Sequence, residues 1–127
     1  MSLSAAIRSP PDGGKIVGVI ISDIGTEEEG ERVARSLREL VPVLRDPVTR
    51  MPYCSMQRQV DAMYPKGQRH YWKSVFLDSL TNDVIDVMIE TMSDSPSPLN
   101  LILLETYGGA VARVTSDSTA FGHRDAT

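Results

Sequence analysis

The sequence predicts an α+β fold: an antiparallel β-sheet with helices packed on one face. Three observations predict it. Short apolar runs, β-branched or leucine-rich, alternate with stretches of helical periodicity, which gives strands and helices together. By itself that alternation would suggest parallel βαβ units; the other two observations turn the reading to an antiparallel sheet. Prolines 47 and 52 sit in an extended segment, where a central strand would lose amide hydrogen bonds. The last two extended segments adjoin almost directly, leaving no room for the crossover that parallel neighbours need.

Residues 1–14 hold two prolines and two glycines and few core residues, and they read as a loose arm. Residues 15–127 form a single α+β domain on this reading. KIVGVIISDIG supplies Ile16, Val17, Val19, Ile20 and Ile21, a β-branched run expected as a central strand buried on both faces. Thr26 then caps a helix, and Glu29 three residues on completes a capping box. Val33, Leu37, Leu40 and Val41 form its core stripe, and Pro42 ends it. The acids at 27–31 read as a solvated helix start, favoured by the helix dipole, and not as a metal site.

Residues 43–53 are expected as an edge strand or an extended connection. Ser55 is expected to cap a short helix carrying Met56, Val60 and Met63, broken by Tyr64-Pro65-Lys66-Gly67. HYWKSVFL, residues 70–77, alternates as a strand, with Tyr71, Lys73, Val75 and Leu77 on one face. His70, Trp72, Ser74 and Phe76 take the other. Thr81 caps a third helix faced by Val84, Ile85, Met88, Ile89 and Met92. After the loop SDSPSP, LNLILLETY is a strand. Beyond Gly108-Gly109, AVARV resumes the extended pattern, the glycines marking a bulge or a close backbone approach.

The 127 residues are 41% apolar and 24% charged, ordinary for a globular chain. A net charge of −4 argues against a nucleic-acid binder, which needs a dense basic face. The lone Cys54 excludes an internal disulfide and a thiolate-rich metal site, and it reads as a small residue near a helix start. The N-terminal segment lacks the apolar core of a secretory signal, and no apolar run reaches the ~20 residues of a membrane span. A cytoplasmic protein without membrane attachment is the expectation.

No dinucleotide, P-loop, zincin or nucleophile-elbow motif is present. Gly13-Gly14 precedes a strand and does not join a strand to a helix, which makes it a poor phosphate loop. Lys73, among aromatic neighbours, reads either as part of a ligand-contacting pocket wall or as a side chain snorkelling at a strand edge. Glu105 either meets solvent at a strand end, paired with Arg113, or faces a site as a base, with Tyr107 and Arg113 positioning a ligand.

MPYCSMQRQVDAMYPKGQRHYWKSVFLDSL and LLETYGGAVARVTSDSTAFGHRDA together resemble the substrate domain of FAD-linked oxidases of the berberine bridge enzyme-like group. The likeness runs from about Ile16 to Ala126. Its distinctive parts are the MPY-to-YPKG stretch, the YWKSVFL strand, the ETYGG turn and the TAFGHR tail. Gly122 stands where the family often has proline. The resemblance implies an antiparallel sheet flanked by helices that covers a flavin ring and forms one wall of the substrate pocket. In such enzymes a separate domain holds the FAD; this chain alone is expected to bind none and to be incompetent for turnover.

By position, Tyr71, Lys73, Glu105 and Tyr107 would line the pocket, with Arg113 beside them, and His123 and Arg124 would lie near the flavin domain. The chain would then stop short of the strand that comes after His-Arg in longer relatives. The implied partner is an FAD-binding domain, in cis or in trans. The alternative is a free-standing α+β domain without enzymatic activity, which binds a small ligand or covers its apolar surface as a homodimer.

Overall fold

The computed structural model describes residues 1–10 and 12–124. Asp125 and Ala126, which close the family-like match, lie outside the described residues. The elements are β1 (Ser2–Arg8), β2 (Ile16–Ser22), α1 (Glu27–Arg38), α2 (Tyr53–Gln57), a 3₁₀ turn (Asp61–Met63), α3 (Asn82–Ser93) and β3 (Leu101–Glu105). Two units divide the chain: Met1–Asp23 with Val75–Thr127, and Ile24–Ser74.

The first unit is built on an antiparallel sheet of order β2-β1-β3, as the α+β prediction requires. Residues 2–8, expected in a loose arm, instead form its central strand. β1 pairs with β2 from Ser2↔Ser22 to Arg8↔Ile16, and with β3 from Ser4↔Glu105 to Arg8↔Leu101. The physical reason lies in the turn that joins β1 to β2. Gly13 and Gly14 have φ of 89° and 82°, which L side chains rarely adopt, and they turn the chain back on itself. The Gly13 N–H donates to the Pro10 carbonyl (3.1 Å), and Lys15 Nζ donates to Ser9 Oγ (2.7 Å). At the open end, the Met1 ammonium meets Asp23 at 3.3 Å.

This arrangement corrects the expectation for β2. It is an edge strand, not a central one buried on both faces; Val17 is 68% exposed and Val19 49%. A β-branched run suits any strand, and its place in the sheet depends on which neighbour finds a second partner. β3 forms as expected, and Thr106 Oγ1 beyond it donates to the Leu3 carbonyl (3.0 Å). α3 forms as predicted, with Thr81 Oγ1 accepting from the Val84 N–H (3.4 Å), Met92 buried and the helix against β3, but Ile89 of its expected core face is 53% exposed.

Two predicted strands are absent. Residues 70–77 join no ladder, and 110–114 form successive turns. Gly109 has φ 55°, which turns the chain out of the sheet direction. The Val111 N–H then returns to the Gly108 carbonyl (3.2 Å). A Cβ at either glycine would meet nothing within 4 Å, so conformation, and not close approach, explains Gly109, while neither explains Gly108.

The second unit holds α1, α2 and the 3₁₀ turn. The capping box is complete: Glu29 N–H donates to Thr26 Oγ1 (3.3 Å), and Thr26 N–H donates to Glu29 Oε2 (3.0 Å). α1 buries Ala34 and half-buries Val33 and Leu37, but it ends at Arg38, so Leu40 and Val41 of the expected stripe stay exposed. Pro42 has no N–H to donate to the Arg38 carbonyl four residues back, and its ring would clash with that carbonyl, so the helix cannot run through to it. α2 starts behind Pro52; Ser55 lies inside the helix and does not cap it. Cys54 is free and exposed. Residues 43–52 connect the helices without entering a sheet.

Arg38 secures the exit from α1. Its guanidinium donates to Glu31 Oε1 (2.7 Å) and to a carboxylate oxygen of Asp46, whose other oxygen accepts the Val48 N–H (3.0 Å). The Arg38 hydrogen bond, and next the Val48 amide, hold the Asp46 carboxyl below its ordinary value of 3.8, and the same bridges push Arg38 up.

Few side chains are removed from water. Among the described residues the buried apolar ones are Ala6 and Met92 in the first unit and Ala34 in the second. The chain leaves 10612 Å² accessible, where a folded monomer of this mass leaves about 6,700 Å².

Two outcomes are expected. Thr26→Ala should destabilise the second unit by about 1 kcal/mol and speed amide exchange in the first turn of α1; unchanged exchange there would show the cap to be idle. Asp46 should titrate below 3.8 by NMR, and Arg38→Ala should return its midpoint towards that value. Because the folded carboxyl is depressed, the stability it contributes is present above the ordinary Asp range and is lost as pH falls through the folded value.

Candidate functional site

The densest side-chain chemistry lies in the first unit, where three separated segments bring rings together. Phe76 comes from the approach to α3, Tyr107 from just beyond β3, and Phe121 and His123 from the tail. The His123 imidazole stacks on Phe76, centroids 3.9 Å apart and planes 12° from parallel. Phe121 meets Phe76 edge-on at 5.8 Å and Tyr107 at 5.5 Å; Phe76 and Tyr107 lie 6.0 Å apart. The edge-on and tilted contacts among Phe76, Tyr107 and Phe121 have favoured aromatic geometry, and the His123–Phe76 stack is closer than that range.

Polar groups ring the cluster. The Arg124 guanidinium lies over the Phe121 face, 4.9 Å from its centroid, and donates to Thr119 Oγ1. The Phe121 N–H also donates to Thr119 Oγ1 (3.3 Å), which pins the tail locally. Among the described residues no acceptor meets the buried Nε–H of Arg124. Such an unmet donor costs about 1–3 kcal/mol until an acceptor reaches it. The Tyr107 hydroxyl donates to Glu105 Oε2 at 3.4 Å, and Glu105 is exposed.

Of the residues singled out from sequence, Glu105, Tyr107, His123 and Arg124 therefore lie on or beside one cluster. Arg113 is in the turns after Gly109, and the partner of Glu105 is Tyr107, not Arg113. Tyr71 and Lys73 belong to the second unit. Tyr71 is 82% exposed, and Lys73 Nζ sits 5.9 Å from its ring centroid. Their predicted alternation survives without a ladder: His70 and Trp72, on the other parity, both lean on Tyr64, at 5.6 Å and 5.8 Å.

Sequence reasoning assigned no role to Phe76, Phe121 or Thr119. One signal pointed to the first two: they are the only phenylalanines in the chain, and both join the cluster. Among the described residues no three His, Cys, Asp or Glu side chains gather as a metal site. What the cluster offers is a set of aromatic faces bordered by a guanidinium, an imidazole and a phenol, suited to a planar ligand with acceptor atoms at its edge.

Replacing Phe76 by Leu keeps apolar bulk but removes the ring current. The His123 ring protons should then move downfield by NMR; resonances that stay in place would mean that the stack does not form in solution.

Comparison with known proteins bears on this cluster. No family model matches the chain, and no solved structure does. Over 126 residues the chain is 29% identical to an FAD-linked oxidoreductase of Dictyostelium discoideum. The alignment covers 97% of this chain but 27% of that protein, so the chain spans little more than a quarter of its relative's length. In sequence, it is similar to one segment of an FAD-linked oxidoreductase.

Proposed function

We propose that this chain acts as a substrate-binding, or cap, segment of an FAD-dependent oxidoreductase of the berberine bridge enzyme-like type, oxidising an alcohol, sugar or amine carbon. The supporting observation is the convergence of Tyr107, Phe121 and His123 on Phe76, with Arg124 over Phe121, within the stretch that resembles such enzymes. The similarity to the Dictyostelium FAD-linked oxidoreductase extends across that stretch.

The residues present fit one edge of a flavin and not the whole cofactor. Ring faces and the unmet Arg124 donor suit a planar heterocycle carrying carbonyl oxygens. A diphosphate finds no cradle here, since Gly13-Gly14 forms the β1–β2 turn and does not open a helix. FAD, when held by another domain, would supply hydride acceptance from the substrate carbon. The chain's own residues would do the rest. Phe76 and Phe121 present apolar surface that excludes water, Arg124 and His123 orient acceptor atoms, and the Glu105 carboxylate hydrogen-bonded to the Tyr107 hydroxyl provides a place for a substrate proton.

The large accessible area and exposed apolar side chains are consistent with a surface that another domain covers. Tyr71 and Lys73 remain proposed substrate contacts carried by the resemblance alone, and Arg113 remains one by its nearness in sequence to Glu105 and Tyr107.

A segment exchange tests it. The matched segment of the Dictyostelium protein is replaced by this chain, and flavin content and flavin reduction by that protein's own substrates are measured. A flavin-loaded hybrid whose reduction rate falls at least tenfold on His123→Ala plus Arg124→Ala is expected. A flavin-loaded hybrid indifferent to that double change, or one that loses its flavin while the segment remains folded, would overturn the proposal.

A further inference from the structure

β2 is a sheet edge of unusual character. Its seven residues, IVGVIIS, contain no charge and no proline, and its ladder with β1 runs without a skipped residue. Natural edges are ordinarily shortened, bulged, charged or covered, because an open row of N–H and C=O groups recruits another strand. On this edge Val17, Val19 and Ile20 are each about half exposed or more. Main-chain groups of that kind are satisfied by a β-strand, which narrows the class of partner to an extended segment.

The sequence of the strand and its flanks specifies which segment. Laid antiparallel against itself with Val19 opposite Val19, β2 matches all seven residues: Ile16 faces Ser22, Val17 faces Ile21, and Gly18 faces Ile20. One step further, Lys15 falls opposite Asp23 at both ends. Lys15 is exposed and the Asp23 side chain is 24% accessible, and their present partners, Ser9 and the Met1 ammonium, are surface contacts of the kind that contribute little to stability. Opposite charges directly across an antiparallel pair attract, and like charges repel. Directly opposed residues share a sheet face, so Val17, Val19 and Ile21 of each copy would extend one apolar surface across both.

We infer that two copies of this chain pair through β2, antiparallel about a two-fold axis at Val19, into one six-stranded sheet of order β3-β1-β2-β2-β1-β3. The inference stands independently of any flavin role.

The mass in solution and the register test it together. The full chain at high concentration should sediment at twice its 14.0 kDa. In a Cys54→Ser background, Val19→Cys should form a disulfide-linked dimer under mild oxidation. Directly opposed residues have Cα atoms about 4.5–5.5 Å apart, within the usual span of a disulfide. Val17→Cys should not link to itself, since four residues of offset separate the two copies of that position by about 13 Å. Lys15→Glu should weaken the dimer about tenfold, and Lys15→Glu with Asp23→Lys should restore it. A monomer at high concentration, open-ended polymers, equal cross-linking at positions 17 and 19, or no rescue by the charge exchange would each overturn the inference.

Discussion

β1 is the strand on which the first unit depends. It is hydrogen-bonded along both edges, and β2 and β3 touch the sheet only through it. Removing β1 would leave two apolar strands with no ladder. The pairing of β1 with β2 is anchored by the glycine turn at the closed end of the hairpin. An antiparallel register places every side chain by parity, so this anchoring decides which residues of β2 and β3 share a face. The end of β3 is set by the same strand, because the Thr106 hydroxyl reaches back to Leu3.

Downstream of β3 no ladder is available, and side-chain contacts take over. The tail is ordered by rings and by one threonine. Phe121 and His123 settle on Phe76, and Thr119 accepts from both the Phe121 amide and the Arg124 guanidinium. The second unit is held by a different device. Arg38, at the end of α1, gathers an acid from its own helix and another from the connector. Its bridges are half-exposed, and exposed ion pairs contribute little to stability; with Ala34 as its buried apolar residue, this unit relies on local hydrogen bonds more than on a core.

The helices were legible in the sequence, and the sheet only in part. Thr26 with Glu29, and Thr81, announced their helices because a cap is satisfied within four residues. The end of α1 was less legible, since Pro42 acts at a distance and the chain left the helix at Arg38. β3 was legible as an apolar run, whereas residues 70–77 alternated like a strand and found no partner strand. Of the site, Glu105 and Tyr107 were read as pocket residues and His123 and Arg124 as lying near a flavin domain; that the four gather on or beside one ring cluster was not legible in the sequence. Phe76 was assigned only to a strand face, because nothing local distinguishes a ring that packs with neighbouring strands from one that packs with a distant tail.

By itself the sequence determined the α+β class, the two capped helices and the chemical types available near the ETYGG turn and the TAFGHR tail. These rest on periodicity and capping, which are local. Only the tertiary structure decided that residues 2–8 are the centre of the sheet, that β2 is its edge, and that Phe76 receives His123. Each of those depends on which distant segment arrives to share hydrogen bonds or ring faces, and a strand carries the same alternation whether it ends up central, at an edge or unpaired.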